Sequence, residues 1–478
     1  MKNITLESFK KGENIMYKKE LENIIKNTTK MVKTTTGKER LQYFQTLAKY
    51  HSLMKYINQN QSDILGYVDK TNHFVEVFNK KTGFYARTGV IENGLDTNKD
   101  PFMRDFPQLI DVGVMGHCVH GKSGLCIKSG VQCYQDGLHR CDPNMSVEDF
   151  RRIVEEIKGK TFQLALGGCG DVDQHENFEE ILKICAENDI VPNFTSSGLG
   201  FTKEIVELCK KYCGAIAISN YSHLEKTIIK REKTEEKQLK TRQYIGDKSK
   251  IQEFLDDGWM KASENENDEN YDYLELTYEN NNYTYRALKM LIDAGVKTNI
   301  HYVVGNNSID EAMERLQNND FIDGLNAVIF LLHKPIGLGK ESNVLKVNDP
   351  RVKEFYHLGN QTHPYKIGYD TCNSPAIVNF ERNIPEECYD SCEGARHSCY
   401  IDSNMQMIPC SFDNQDLNWA VDLRTHSIEE AWNSEQFNDF RSHFKSSCKG
   451  CKDRHLCRGG CPIARSIVLC NKKEKDLR

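Results

Sequence analysis

The sequence predicts an α/β protein: a partial (β/α)6 TIM-like barrel, preceded by an α+β accessory region and followed by a cysteine-rich C-terminal domain. Three observations carry this expectation. Short apolar strand patterns alternate with helix patterns across 106–345, as parallel strands joined by crossover helices require. Fourteen of the 18 cysteines fall into two groups, within 118–141 and 372–470. The 478 residues suffice for one large domain and one or two smaller ones. The expected division is 1–105, then 106–345 with a charged insertion at 222–282, then 346–478.

In the first region, 16–56 reads as mostly helical, with Leu21, Ile24 and Ile25 followed by Leu41, Phe44, Leu47 and Leu53. Alternation from Phe74 to Phe78, a turn at 79–83 and Phe84-Tyr85-Ala86 read as a hairpin. A helix with a hairpin fits either a peptide-binding module or a structural cap.

In the middle region, Phe162 to Leu166 reads as a strand, with a helix over 177–185. Ile190 to Thr195 starts the next unit, with a helix from about Thr202 to Lys211, and 215–219, 296–304 and 325–332 extend the series. In a barrel of this kind, chemistry belongs on the loops after the carboxyl ends of the strands. The insertion carries Lys226, Lys230, Arg231, Lys233 and Lys237 and then the polar tract 264–270. That composition predicts a solvated segment that forms no core of its own, either a lid over one barrel end or surface decoration. Cys169, Cys185, Cys209 and Cys213 are scattered without ligand spacing and read as small buried hydrophobes.

Composition excludes several function classes. Lys and Arg total 63 against 69 Asp and Glu, a net charge of -6, so no dominant electrostatic footprint for nucleic acid is expected. No run approaches 18 apolar residues, so no membrane partner is expected. No charged n-region with an apolar h-region is visible, and this many thiols in a long chain argues for a reducing, cytoplasmic setting over a disulfide framework.

The front cysteines are spaced Cys118-x7-Cys126-x6-Cys133, with Gly121, Gly124 and Gly130 permitting turns between them. Three thiolates on such a loop can hold three irons of a four-iron cluster and leave the fourth open. Cys141 competes as a fourth ligand, which would close the cluster, and zinc competes as the metal. The next strand ends in Gly167-Gly168-Cys169-Gly170-Asp171. Small residues there would let a bulky cofactor approach the backbone, and the Asp171 carboxylate could accept a hydrogen bond from an ammonium group. No phosphate-binding G-x-x-x-x-G-K-[ST] is present at this turn.

The rear group contains Cys448-x2-Cys451-x5-Cys457-x3-Cys461 followed by Cys470, with Arg458-Gly459-Gly460 supplying turns. Upstream lie Cys372, Cys388, Cys392, Cys399 and Cys410. These thiols can fill the eight positions of two closed four-iron clusters, with two left over, and zinc knuckles would use the same residues.

Over roughly 110–345 the chain resembles the radical S-adenosylmethionine enzymes, on the cysteine loop ending Cys133-Tyr134, on Gly167-Gly168, on Asp171 and on Thr195-Ser196-Ser197-Gly198. It departs from their commonest loop, C-x3-C-x2-C. The resemblance implies that Cys118, Cys126 and Cys133 hold the radical-generating [4Fe-4S] cluster. It places S-adenosyl-L-methionine against them and Gly167, Gly168, Asp171, Ser197 and Ser219. One-electron reduction of that cofactor in the family releases methionine and a 5'-deoxyadenosyl radical.

The tail resembles the SPASM extension of peptide-modifying members, which implies two auxiliary [4Fe-4S] clusters. Cys392, Cys410 and Cys461 would serve one, with Cys388 and Cys399 competing for an early place. Cys448, Cys451, Cys457 and Cys470 would serve the other. Asn404 and Met405 stand where that pattern commonly has glycine, so a degraded turn is expected.

The combined architecture resembles a maturase of ribosomally made peptides, and Asp100 to Met103 before the loop resembles a subgroup that acts on cysteine-repeat peptides. The implied activity is hydrogen abstraction followed by a cysteine sulfur-to-carbon thioether crosslink. The implied partners are a cysteine-containing precursor peptide and an electron donor such as flavodoxin or ferredoxin. Radical oxidation, carbon–carbon crosslinking or epimerisation uses nearly the same parts, and a noncatalytic multi-metal scaffold is a third class. His117 and His301 lie near active-end loops, where structural hydrogen bonding is expected of them, and no polar general base is visible.

Overall fold

The N-terminal helical pattern divides, at Thr35 and Thr36, into helices Leu6–Thr34 and Gly37–Gln59. The structure, a computed structural model, describes residues 6–121, 126, 130–221, 224–234, 241–279, 282–381, 383–385, 388–446 and 448–471. Three antiparallel strands follow the helices: β1 (Ile64–Asp69), β2 (Phe74–Asn79) and β3 (Tyr85–Arg87). The expected hairpin is β2 and β3, and β1 pairs with β2 as an additional strand. Tyr17, Leu21 and Ile24 pack with Val75 and Val77 in a separate small core. Gly66 allows this approach, since a Cβ there would sit 2.1 Å from the Tyr17 ring. A short hairpin, β4 (Ile91–Glu92) and β5 (Leu95–Asp96), completes the unit.

The barrel begins with β6 (Leu109–Met115), β7 (Gln163–Gly168), β8 (Val191–Ser196) and β9 (Ile216–Ser219). The insertion supplies β10 (Leu224–Glu232), β11 (Thr241–Asp247), β12 (Met260–Ala262) and β13 (Tyr271–Glu279). The series resumes with β14 (Thr298–Val304), β15 (Ala327–Leu332) and β16 (Lys366–Tyr369). Neighbouring barrel strands pair in parallel in the order β16-β15-β14-β9-β8-β7-β6. Six helices lie in the crossovers, Val147–Ile157, Phe178–Glu187, Lys203–Tyr212, Asn282–Asp293, Ile309–Asn318 and Pro350–Gly359. The first shows the logic of them all: Phe150, Ile153, Val154 and Ile157 recur at helical spacing and are buried with Ile110, Val112 and Val114 of β6. Strand alternation then turns Asp111, Gly113, Ala165 and Gly167 to the other face, the barrel interior.

The insertion departs from expectation. It folds into a four-stranded sheet, order β11-β13-β10-β12, over its own core of Ile229, Ile251, Leu274, Leu276 and Tyr278. Lys226 and Arg231 are exposed on β10, while Asp272 and Glu279 of β13 are buried. Arg242 also reaches Glu314, and Lys226 pairs with Glu314 at 2.7 Å, fixing the sheet to the barrel helix Ile309–Asn318. Lys237 lies outside the described residues.

The tail continues the barrel sheet. β17 (Ser398–Ile401) pairs in parallel with β6, and β18 (Gln406–Ile408) and β19 (Val421–Asp422) follow antiparallel. Trp432, fully buried, donates its indole N–H to the Arg104 carbonyl at 2.9 Å. The expected defect at Asn404 and Met405 does not occur: Met405 adopts φ +62, and the Asp402 carboxylate accepts from the N–H groups of Asn404 and Gln406. Among the described residues no helix is long and apolar enough to cross a membrane.

Candidate functional site

Gly168, Ser196, Ser219 and Leu332 end their strands on one side of the sheet, and the candidate residues gather there. Gly170, at φ +145, lets the turn after β7 pass beneath the front loop: a Cβ there would lie 2.8 Å from the His117 carbonyl and 3.2 Å from Cys118 Cα. Cys118 and Cys133 face each other across Gly137, whose Cβ would sit 3.7 and 3.6 Å from their sulfurs. Cys126 is close enough to feel the charges of Asp171, Cys118 and Cys133, and burial pushes its thiol up to about 12. Burial likewise raises the Cys118 thiol. Gly121 is required for a close approach, since a Cβ would sit 1.8 Å from the Gly137 carbonyl, and Gly130 takes φ +79. Gly124 lies outside the described residues.

The structure therefore brings Cys118, Cys126 and Cys133 together beside Asp171. Cys141 is placed differently: its backbone bridges His117 while the residue is exposed. Cys169 is buried, as expected, but its thiol donates to the Gln135 carbonyl and lies beside Cys133 and Cys118, closer to the site than its spacing suggested. Cys185 and Cys209 are fully buried in the core.

Gly167 has open space where a Cβ would stand, so the backbone is accessible from the barrel interior. Asp171 is turned toward the end of β8. One carboxylate oxygen accepts from the Ser197 N–H at 2.8 Å, the other from the Ser197 hydroxyl, and His120 Nε2 stands 3.5 Å away. Burial and Asp173 raise its pKa to about 6. Ser219 hydrogen-bonds Tyr221, a residue that sequence reasoning passed over and whose phenol feels Cys126, Asp171 and Cys133. His301 bonds Thr195 across the interior at 3.0 Å, and burial lowers its pKa to about 4, leaving a neutral ring. His117 meets the Asp142 carbonyl at 3.1 Å. Both imidazoles thus make the structural contacts expected of them.

The rear thiols form two sets. Cys372 interacts with Cys461 and Cys392, and Cys410 with Cys392 and Cys461, all within one buried neighbourhood. Cys457 interacts with Cys448, Cys451 and Cys470. Cys372, on the short turn Thr371–Asn373 after β16, completes the first set and was left unassigned by sequence spacing. Cys388 is exposed, and Cys399, buried on β17, faces Asp111 and Arg441. Arg458, Gly459 and Gly460 all take left-handed conformations, the turns that their composition suggested.

Lys334, two residues beyond β15, stands beside the first rear set with its side chain 1% exposed. Its ammonium donates to the Leu332 carbonyl and to Asp370, each at 3.2 Å. Burial opposes its charge, but Asp370 and the thiols of Cys372, Cys461 and Cys410 outweigh burial and hold it protonated.

Among the described residues no group of three or more His, Cys, Asp or Glu side chains is gathered tightly enough to hold a single ion. A cuboidal cluster lies between its thiolates and accepts a wider set, so three thiols in front and four in each rear set suit four-iron clusters by number and softness.

Residues 392–453 match the model of SPASM, an iron–sulfur cluster-binding domain. The fold is similar to that of Streptococcus suis SuiB. SuiB bound to precursor peptide SuiA superposes with a TM-score of 0.53 at 14% identity, covering 84% of this chain and 94% of that one. SuiB bound to S-adenosylmethionine gives 0.52 at 14% identity, covering 84% and 95%. No curated protein matches the chain.

Proposed function

We propose that this chain is a radical S-adenosylmethionine peptide maturase that forms a thioether between a cysteine sulfur and a carbon of a ribosomally made peptide. The observation that carries the reading is the convergence of Cys118, Cys126 and Cys133 with Asp171 beside the open backbone of Gly167, at the carboxyl end of a partial barrel. When bound, the front cluster and its sulfonium cofactor supply one-electron radical chemistry. The three thiolates would hold the cluster, at the side of the barrel end that stays open to the cofactor. Gly167 and Gly168 let the cofactor lie against the strand end, and Asp171, fixed by Ser197, offers further lone pairs to an ammonium group. Ser219 and Tyr221 line the same end.

The open interior positions one substrate C–H bond, and orientation there decides which bond reacts. His301, a weak base held by Thr195, shapes that space. Cys372, Cys392, Cys410 and Cys461 hold one auxiliary cluster, and Cys448, Cys451, Cys457 and Cys470 the other. Clusters held there would supply an acceptor for the electron released when the peptide sulfur joins the carbon radical, with the thiol proton leaving to solvent.

The N-terminal unit contacts the opposite end of the barrel: Phe78 stacks on Phe162 at 5.6 Å, and Lys80 pairs with Asp189 at 2.8 Å, both residues preceding their strands. A leader held there must run past a barrel wall of roughly 20 Å, about six extended residues, before its core reaches the site. The divisions 1–105, 106–345 and 346–478 then correspond to recognition, radical generation and electron handling. A flavodoxin or ferredoxin and the reducing cytoplasm fit this chemistry.

The test is anaerobic reconstitution with iron and sulfide, then S-adenosylmethionine, a reductant and the cysteine-containing peptide encoded nearest the gene. The expected result is 5'-deoxyadenosine and a peptide lighter by two hydrogens, with fragmentation placing sulfur on carbon. No 5'-deoxyadenosine would leave a metal scaffold, and two hydrogens lost without a sulfur–carbon bond would identify an oxidation or a carbon–carbon crosslink.

A further inference from the structure

A buried ammonium is expensive to bury, and an apolar side chain of similar length usually packs at less cost. Lys334 is such a group, and its surroundings point to the rear thiols. Asp370, its anionic partner, lies two residues before Cys372, and the face of Phe412, 4.1 Å from Nζ, lies two residues after Cys410. Asp370 is shared with other donors: its second oxygen accepts from the Asn373 amide.

The same segment reaches the front loop. Leu338 N–H donates to the Cys133 carbonyl at 2.9 Å, and Lys340 N–H to the Gln132 side chain at 2.8 Å. Phe412 packs on Tyr134 at 4.7 Å, and Gln415 donates to the Tyr134 carbonyl at 3.0 Å. A contiguous series of contacts, Lys334 on the Phe412 face and Phe412 tilted against Tyr134, therefore runs from Lys334 to the residue after Cys133.

We propose that Lys334 is the built-in counter-cation of the thiol set Cys372, Cys392, Cys410 and Cys461, making a cluster held there easier to reduce than the four thiolates alone would. This rests on the iron–sulfur reading of that set. Reduction adds one electron and makes a thiolate-bound cluster more negative by one charge, and a fixed cation in a poorly solvated site stabilises that added charge. The set is thereby suited to receive an electron. Lys334 is a positioning residue in this scheme, acting through the electrostatics of the cluster.

The experiment is a dithionite titration of anaerobically reconstituted holoenzyme, followed by electron paramagnetic resonance, with iron counted per chain. Lys334→Met should move the midpoint of one auxiliary signal to more negative potential at unchanged iron content, and Lys334→Arg should leave it near the native value. An unmoved midpoint in iron-replete Lys334→Met, or an equal shift in Lys334→Arg, overturns the proposal. If Lys334→Met loads less iron, Lys334→Gln keeps the hydrogen bonds without the charge, and it must show the same negative shift or the proposal fails. A native protein with zinc in the rear set would instead defeat the iron–sulfur reading, and the metal count shows this before any variant is made.

Discussion

The front and rear thiol sets lie at the same end of one sheet and are built in opposite ways. Cys118, Cys126 and Cys133 come from a single loop, stand beside the anionic Asp171 and face open space at Gly167. Cys372, Cys392, Cys410 and Cys461 come from four separate segments and have a buried cation, Lys334, beside Cys372, Cys410 and Cys461. Three local ligands with an accessible side suit a centre that must meet an exogenous molecule. Four remote ligands around a buried charge suit a centre that only exchanges electrons.

The largest effect that could break this contrast is at the front. Cys126→Ala, and equally Cys118→Ala or Cys133→Ala, is expected to reduce 5'-deoxyadenosine formation to background by chromatography and mass spectrometry. Retained cleavage in any of them would remove that residue from the ligand set. Next, Cys372→Ala is expected to keep cofactor cleavage while abolishing crosslinked peptide and lowering the iron content, whereas exposed Cys388→Ala leaves both intact. Equal behaviour of the two variants would dissolve the four-member rear set.

A smaller effect probes the joint between the regions. Asp111, on the inner face of β6 and paired in register with Tyr400 of β17, is raised to about 7 by burial. Its unfolded value is about 3.9, so the native state binds the extra proton between these limits. Its contribution to stability is therefore complete below about pH 4, declines as pH rises to about 7 and is constant above. Asp111→Asn should flatten this slope by roughly 1 to 3 kcal/mol in denaturant titrations across that range. A slope that persists would show that the carboxyl is solvated. The smallest expected change is Ser427→Ala. The Ser427 hydroxyl accepts from the Glu430 N–H, and the Glu430 side chain accepts from the Ser427 N–H, forming a capping box on the helix Ile428–Trp432. Its loss should cost about 1 kcal/mol in the same measurement.

The barrel strands β7, β9 and β15 were legible as short apolar runs, and β8 and β14 as strands of alternating burial, each between helical periods. β6 was not, because Asp111 and Gly113 interrupt its run and Gly116 follows it. In the insertion, β10 buries Ile229 while Lys226 and Lys230 stand on its opposite face, ion-paired with Glu314 and Glu266, so a high charge count concealed a one-sided strand. Met405 was read as a defect because glycine is the residue that most readily takes positive φ, yet the Asp402 cap holds methionine in that conformation.

Cys118, Cys126 and Cys133, and likewise Cys448, Cys451, Cys457 and Cys470, were grouped by the resemblance together with their spacing, and each group lies in one neighbourhood because local turns bring its members together. Sequence could not place Cys372, Lys334 or Phe412 in one neighbourhood. They come from the end of β16, the end of β15 and the turn after β18, and only the closing of parallel strands into a sheet that continues into the tail draws them together. Local geometry is encoded by near neighbours, whereas a buried charge beside four thiols depends on which distant segments the packed core brings into contact.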